Sequence, residues 1–273
     1  MHPELIRFGP LAIRSYGLLL AISFLLGVIW SVRRANKVGV NPKIILDLTI
    51  VIFISSIVGA RMFYVIFHLE EFRGHWLDVI SPVQSNGDFV FGGLTMLGGV
   101  VLAVLCGIVY LRIKKQSVWK VADVLAPAFP LGIFLTRIGC FLNGCCYGKP
   151  SPQEAWGVVF PADCPAGYAY PGIHLYPTQL YSSLKGLLIL IILVLLERYK
   201  KFDGYTFWLM LFVFGIGRFV IDFWRYYEPS MVLATIQGVS FSVNQGVSLI
   251  IIFVSATMWN LLRAKSHKPL GAK

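Results

Sequence analysis

Three ionisable residues lie at the end of an otherwise apolar stretch of the sequence. Arg218, Asp222 and Arg225 are spaced by four and by three, which places them on one face of a helix. A charge inside a bilayer costs about 2.5 kcal/mol or more, so each group needs a partner or a ligand. Two cations and one anion keep a net positive charge, which favours an anionic ligand over self-neutralisation. The alternative is a packing ion pair, with Arg225 extended to the membrane surface.

A second charged position, Arg137, lies towards the end of another apolar stretch. Cys140, Asn143 and Gly144 share its helical stripe. Guanidinium groups bind phosphate in a bidentate manner that is stronger and better directed than an ammonium contact. We therefore predict that Arg137 and Arg218 hold a phosphate group between two helices.

Three further patterns give weaker signals. Arg61, Tyr64 and His68 form a stripe near the end of an apolar stretch, where interfacial anchoring explains them at least as well as a binding site. Tyr16 occupies a position where interfacial tyrosines are common. The glycine-rich segment 92–99 allows close backbone approach, but glycines are frequent in membrane helices.

Four cysteines and a histidine follow in the next part of the chain. Cys140, Cys145, Cys146, Cys164 and His174 have residue types that suit a metal, but their spacing contains no C-x-x-C pair. We favour a disulfide from Cys164 to Cys145 or Cys146 over a metal, because the outer compartment is oxidising. The sequence therefore predicts no metal site.

The composition indicates elements that cross a membrane. Of the 273 residues, 57% are hydrophobic and 14% charged, against roughly 25% charged in soluble domains. The mean hydropathy is +0.73, which excludes a water-soluble globule. The net charge of +11 would suggest nucleic acid binding in a soluble protein, but here we predict that it sets topology.

We predict an all-α polytopic membrane protein with seven transmembrane helices in a single integral-membrane domain, residues 1–273. A β-barrel is excluded because the apolar runs do not alternate. Pro127 and Pro130 should kink or break the fourth helix. The expected spans are 14–32, 44–68, 89–111, 119–142, 179–197, 204–224 and 239–262.

The basic residues predict the orientation of these spans. Fifteen of the 24 Lys and Arg residues follow the first, third, fifth and seventh spans. The positive-inside rule then places the N-terminus outside and the basic tail, 264–273, in the cytoplasm. The long outer loop, 143–178, holds six of the 14 prolines, and we expect an irregular but stiff lid or docking surface.

These residues resemble the prolipoprotein diacylglyceryl transferases, bacterial inner-membrane enzymes with seven spans. The similarity extends over nearly the whole chain, and the signature around Arg137 is its most specific part. The matching segments are Phe8-Gly9-Pro10 with Ile13-Arg14-Ser15-Tyr16-Gly17, Gly59-Ala60-Arg61, the Gly92–Gly99 motif, Arg137-Ile138-Gly139 with Phe141-Leu142-Asn143-Gly144 and Gly148, Tyr176-Pro177-Thr178-Gln179-Leu180-Tyr181, and Gly217-Arg218-Phe219-Val220-Ile221-Asp222-Phe223-Trp224-Arg225.

The chain departs from the family pattern at five positions. Leu97 and Tyr176 replace histidines of the glycine motif and of the His-Pro-[Ser/Thr]-Gln-Leu-Tyr segment. Thr136, Cys140 and Cys145 replace the glycine, first asparagine and glutamate of the signature.

The resemblance implies an enzyme that moves the diacylglyceryl group of phosphatidylglycerol to the lipobox cysteine of a preprolipoprotein, forming a thioether and releasing glycerol phosphate. It implies no cofactor, no nucleic acid, and a monomer in the bacterial inner membrane. The predicted catalytic residues are Tyr16, Arg137 and Arg218. The predicted substrate-binding residues are Asn143, Gly148, Asp222, Arg225, Arg61, Gly98 and Gly99. The alternatives are an inactive relative that binds lipid or lipoprotein, and a lipid or anion transporter.

Overall fold

The computed structural model describes residues 4–8, 11–73, 95–236 and 239–266. Seven helical spans in these ranges are long and apolar enough to cross a membrane, which confirms the predicted helical, multi-pass architecture. In chain order the α-helices are α1 (Ser15–Val38), α2 (Pro42–Phe67), α3 (Met96–Ile113), α4 (Val118–Leu125), α5 (Ala128–Leu142), α6 (Pro165–Ala169), α7 (Thr178–Leu196), α8 (Tyr205–Ile221) and α9 (Val243–Ser266).

The fourth span is the pair α4 and α5, and the predicted break is confirmed. The first helix ends at Leu125 and the next begins at Ala128. Pro127 stands at the N-cap of α5 and Pro130 in its first turn. A proline is tolerated there because the amides of a first turn have no partner within the helix.

Three short antiparallel strand pairs, which the sequence did not predict, are present in the described residues, one before α1 and two between later helices. They are formed by β1 (Glu4–Phe8) with β2 (Leu11–Arg14), β3 (Val158–Val159) with β4 (His174–Leu175), and β5 (Val232–Ile236) with β6 (Val239–Ser242). Because β6 occupies the predicted start of the last span, α9 begins at Val243 instead of residue 239. The third span begins at Met96, and predicted positions 89–94 lie outside the described residues.

The proline-rich segment, 143–178, is folded around a small core of its own. Phe160, Cys164, Ala166 and Leu175 are buried together, with Phe141 and Tyr147 packed against them. The paired strands β3 and β4 contribute Val158 and Leu175 to this core. The segment therefore contains a short helix and a strand pair as well as irregular stretches, and its role as a lid or docking surface stays a prediction.

The chain forms two compact units, one of Met1–Ser31 with Ala122–Lys273 and one of Val32–Val121. In the second unit, glycines bring α2 and α3 into contact. A Cβ at Gly98 would collide with the Gly59 carbonyl, and a Cβ at Gly99 would lie 2.9 Å from the Ser56 carbonyl oxygen. Gly92 and Gly93 of the same motif, and residues 267–273 of the predicted tail, lie outside the described residues.

Candidate functional site

Gly139 brings α1 and α5 together where the predicted site residues lie. A Cβ at this position would lie 3.1 Å from the Cα of Tyr16. The close approach puts the Tyr16 side chain within electrostatic range of Arg137 and Cys140. The described residues form no ion pair or hydrogen bond with the Arg137 guanidinium, so its donors are available to a ligand.

Arg218 is held by two neighbours on the other side of the site. Its Nε lies 3.3 Å from Oδ1 of Asp222, and its Nη2 donates a hydrogen bond of 2.8 Å to the Tyr227 hydroxyl. Burial raises the pKa of Tyr227 above its ordinary value, although Arg218 and Arg225 act in the opposite direction. The phenol therefore stays protonated and serves as a neutral partner of Arg218.

The start of α9 fixes the Asp222 carboxylate. The Ser242 hydroxyl donates to Oδ2 of Asp222 at 3.2 Å, and the buried Gln245 accepts the Ser242 amide at 2.8 Å. The Asp222 side chain is 0% exposed. The structure thus places Asp222 behind Arg218, where it positions the guanidinium, and a contact between Asp222 and substrate stays a prediction.

Gly148 joins three distant segments of the chain. Its amide donates to the Tyr176 carbonyl at 3.0 Å, and its backbone pairs with Arg225. A Cβ there would lie 2.6 Å from the Trp224 carbonyl oxygen, so only glycine fits. The same pairing anchors the backbone of Arg225, whose Nε is buried and has no hydrogen-bond partner among the described residues.

Arg137, Arg218 and Arg225 are here called the arginine cluster, because Arg218 interacts electrostatically with both of the others. Lys185 on α7 joins them electrostatically and packs its methylenes against Gly217, where a Cβ would lie 2.6 Å from its Cδ. Lys185 also lines a cavity of about 830 Å³ between α7 and α8. Most of the other lining side chains are apolar or aromatic, among them Tyr176, Leu188, Ile216 and Trp224.

The cysteines adopt an arrangement different from the one predicted. All five are free, and Cys164 is buried with its thiol 3.1 Å from the Pro161 carbonyl oxygen. The predicted disulfide from Cys164 is therefore wrong for this structure. Cys140, Cys145 and Cys146 instead group together, with their sulfurs within 4.8 Å of one another.

Two residues at the start of α7 hold the turn after α5 that carries Cys145 and Cys146. Gln179 donates through its Nε2 to the Cys145 carbonyl at 2.9 Å, and the Thr178 hydroxyl donates to the Cys146 carbonyl at 3.2 Å. Hydrogen bonds from the neighbouring thiols, aided by Arg137 and Arg225, lower the pKa of Cys146. The chemistry available here is that of thiols beside guanidinium groups.

Comparison with known proteins identifies the family. The family model for prolipoprotein diacylglyceryl transferase matches residues 3–261. The chain belongs to this family. A phosphatidylglycerol–prolipoprotein diacylglyceryl transferase of Clostridium tetani is 31% identical over 98% of the chain and 100% of the relative. A relative from Prochlorococcus marinus is 34% identical over 80% of the chain and 76% of the relative. A relative from Clostridium botulinum is 30% identical over 93% of the chain and 98% of the relative.

Three residues assigned to substrate by resemblance to the transferases lie in the second unit. Gly98 and Gly99 are buried against α2. Arg61 lies over the Phe72 ring at 5.3 Å, beside Tyr64, which stacks on His68. Substrate contact of these residues stays a prediction. In the first unit, the Asn143 side chain is within hydrogen-bonding range of the Cys145 sulfur.

Sequence reasoning missed two charged residues of the transferase spans. Lys185 lies within the predicted fifth span, and Asp123 within the fourth. Asp123 is 1% exposed and forms an ion pair of 2.9 Å with Lys200. Its carboxylate also accepts hydrogen bonds from the backbone amides of Gly204 and Phe207, so it caps the start of α8. The rule that intramembrane charges need explanation, applied to every span, would have found both.

Proposed function

We propose that this chain transfers the diacylglyceryl group of phosphatidylglycerol to the lipobox cysteine of a preprolipoprotein. The observation that carries the proposal is the arginine cluster beside the cavity of about 830 Å³. Among the described residues, Asp222 is the carboxylate that pairs with this cluster. The remaining positive charge suits a lipid phosphate, and the apolar cavity suits its acyl chains.

The reaction exchanges one bond at a glycerol carbon. The cysteine sulfur forms a bond to the carbon that carries the phosphate, and the carbon–oxygen bond to the phosphate breaks. The leaving group is glycerol phosphate, and the thiol proton passes to this product or to water. The products are a thioether-linked diacylglyceryl cysteine and a phosphate monoester, so no oxidant or cofactor is needed.

The arginine cluster stabilises the charge that grows on the leaving phosphate. Preorganised donors in a site with little water contribute most where charge develops in the transition state. Arg218 is preorganised by Asp222 and Tyr227, and Arg137 offers donors with no other partner among the described residues. We therefore assign Arg137 and Arg218 as the residues that bind the phosphate from two helices.

Activation of the substrate thiol follows from the same charges. An ordinary thiol with a pKa of about 8.5 is roughly 3% ionised at pH 7. Neighbouring cations lower the pKa of a thiol by favouring its thiolate form. Tyr16 lies within range of Arg137 and has the side chain to accept or donate a hydrogen bond to the attacking group.

We also propose the orientation of the chain in the membrane, its location and its partners. The N-terminus faces the periplasm and the C-terminal tail the cytoplasm, in the bacterial inner membrane. The chain acts as a monomer, with phosphatidylglycerol and the signal peptide of the preprolipoprotein as its partners. The basic residues between alternate spans support this orientation.

A second candidate function is binding of lipid or lipoprotein without turnover. It is favoured by Leu97 and Tyr176, which stand where the family carries histidines. The two candidates differ in one measurable product.

Purified protein in vesicles containing phosphatidylglycerol is incubated with a lipobox peptide, and the peptide mass is measured. We expect the added mass of a diacylglyceryl group, and no addition to a peptide with serine in place of cysteine. Rescue of cells depleted of their own transferase provides the matching test in vivo. Peptide binding without modification, together with failed rescue, would replace transfer by the second candidate.

A further inference from the structure

The thiols of Cys140, Cys145 and Cys146 form a compact group, here called the cysteine trio. Their sulfurs all lie within 4.8 Å of one another. Tetrahedral zinc with bonds of about 2.3 Å to sulfur requires separations of about 3.8 Å between ligand sulfurs. Small rotations of the three side chains are therefore enough to direct them at one ion.

We propose that the cysteine trio binds one thiophilic divalent cation, of which Zn²⁺ is the natural probe. Cys140 is buried, Cys145 half-buried and Cys146 exposed, so the ion has a path of entry beside Cys146. Three protein ligands leave one tetrahedral position open to water or to another ligand. An open position is characteristic of zinc sites that do chemistry, whereas structural sites are closed.

The backbone that carries the trio is held without any ion. Cys145 and Cys146 are fixed through their carbonyls by Gln179 and Thr178, both about 1% exposed or less. Cys140 belongs to the last turn of α5, and its backbone carbonyl accepts a hydrogen bond of 3.1 Å from the Cys145 amide. Such preorganisation lowers the entropy lost when an ion binds.

The surrounding charge suits the complex. Binding of a divalent ion by three thiols releases three protons to solvent and leaves a net charge of one negative unit. Arg137 and Arg225 lie within electrostatic range of Cys146 and balance that charge. The ion site therefore adjoins the arginine cluster and is proposed in addition to the transfer activity.

A disulfide within the trio is the competing arrangement. Cys145 and Cys146 are sequence neighbours, and any single disulfide would leave one of the three sulfurs unused. Convergence of all three sulfurs favours an ion instead.

The test uses the full chain, reduced and in detergent, titrated with Co²⁺ and then with Zn²⁺. We expect one Co²⁺ per chain, seen as sulfur-to-cobalt charge-transfer absorption and tetrahedral visible bands, and displaced by Zn²⁺. Cys140→Ser, Cys145→Ser and Cys146→Ser should each weaken Zn²⁺ binding by about 100-fold or more, since even an outer-shell partner contributes 10- to 100-fold. Cys146 is exposed, so its variant tests the site without disturbing packing.

Cys164→Ser is the matched control, because a serine hydroxyl keeps the bond to the Pro161 carbonyl and Cys164 lies outside the trio. Its binding should equal that of the parent. No stoichiometric Co²⁺ in the reduced parent, or binding unchanged in all three trio variants, overturns the proposal. Alkylation in intact membranes counts the free thiols of the trio as a second measurement. A disulfide found within the trio would also overturn the proposal.

Discussion

Nε of Arg218 lies 3.3 Å from Oδ1 of Asp222, one turn further along the chain. The carboxylate is fixed in turn by Ser242, so the guanidinium points from a rigid support. We expect Asp222→Asn to lower kcat/KM for phosphatidylglycerol by about 10- to 100-fold, because the ion pair that orients the guanidinium is lost and a contact between charged groups is worth about 1.5–3 kcal/mol. Ser242→Ala removes only the hydrogen bond from Ser242 to Asp222 and should lower kcat/KM less. Equal losses in the two variants would contradict a positioning role for Asp222.

Arg137→Lys and Arg218→Lys keep the charge of the arginine cluster but lose bidentate geometry. We expect each to reduce turnover by about 100-fold while the protein still folds, because one lost donor to a developing anion costs at least this much. Turnover is measured with a lipobox peptide, and folding by thermal unfolding in detergent. If both lysine variants turned over at the parent rate, a phosphate clamp made of these two residues would be wrong.

Gly148→Ala should destabilise the protein and lower activity together. The new Cβ would lie 2.6 Å from the Trp224 carbonyl oxygen and 2.7 Å from that of Tyr176. Overpacking of this kind costs about 1–3 kcal/mol, which lowers Tm by about 5 °C. Gly132→Ala is the control, since nothing lies within 4 Å of its added methyl group. Equal Tm values for the two variants would remove the packing argument.

Leu97→His tests whether the chain lacks a base. Leu97 is 65% exposed in the first turn of α3, so a histidine fits there. If cations alone stabilise the thiolate, the parent rate rises with pH between 6 and 9 and then levels, because the thiolate fraction grows until the thiol pKa is passed. The variant should then gain little. A gain of about 100-fold at pH 7, the low end for a positioned base, would show that a base had been missing.

Orientation is tested by labelling single cysteines in a variant without native cysteines. Glu154 and Lys201 are both exposed and lie at opposite ends of the spans. Lys201 is chosen over Lys200, whose Nζ pairs with Asp123. A membrane-impermeant maleimide should label position 154 in cells whose outer membrane is opened, and position 201 only after lysis. Labelling of both positions before lysis would reject the proposed topology.

Much of the fold could be predicted because a bilayer permits few structures. Apolar length alone predicts the seven spans, and Pro127 and Pro130 predict the break between α4 and α5. The hairpin of β5 and β6 was missed because short strands beside a membrane carry no distinct periodicity.

The site was only partly predictable. Arg218 and Asp222 lie one turn apart, so helical spacing placed them on one face, where the ion pair was the alternative interpretation. The support of Asp222 by Ser242 comes from the end of β6, and the grouping of Cys140 with Cys146 depends on a turn held by Gln179. Contacts between distant segments follow from packing, which spacing in the sequence does not encode.

The pairing of Gly148 with Arg225 has a consequence for biosynthesis. Gly148 is bound on one side to Tyr176 and on the other to the segment that ends the sixth span. A nascent chain cannot complete this junction until residue 225 has been made. The arginine cluster is therefore assembled late, after six of the seven spans have been synthesised. A ribosome-bound intermediate that ends before residue 225 should show no affinity for anionic lipid beyond that of its basic loops.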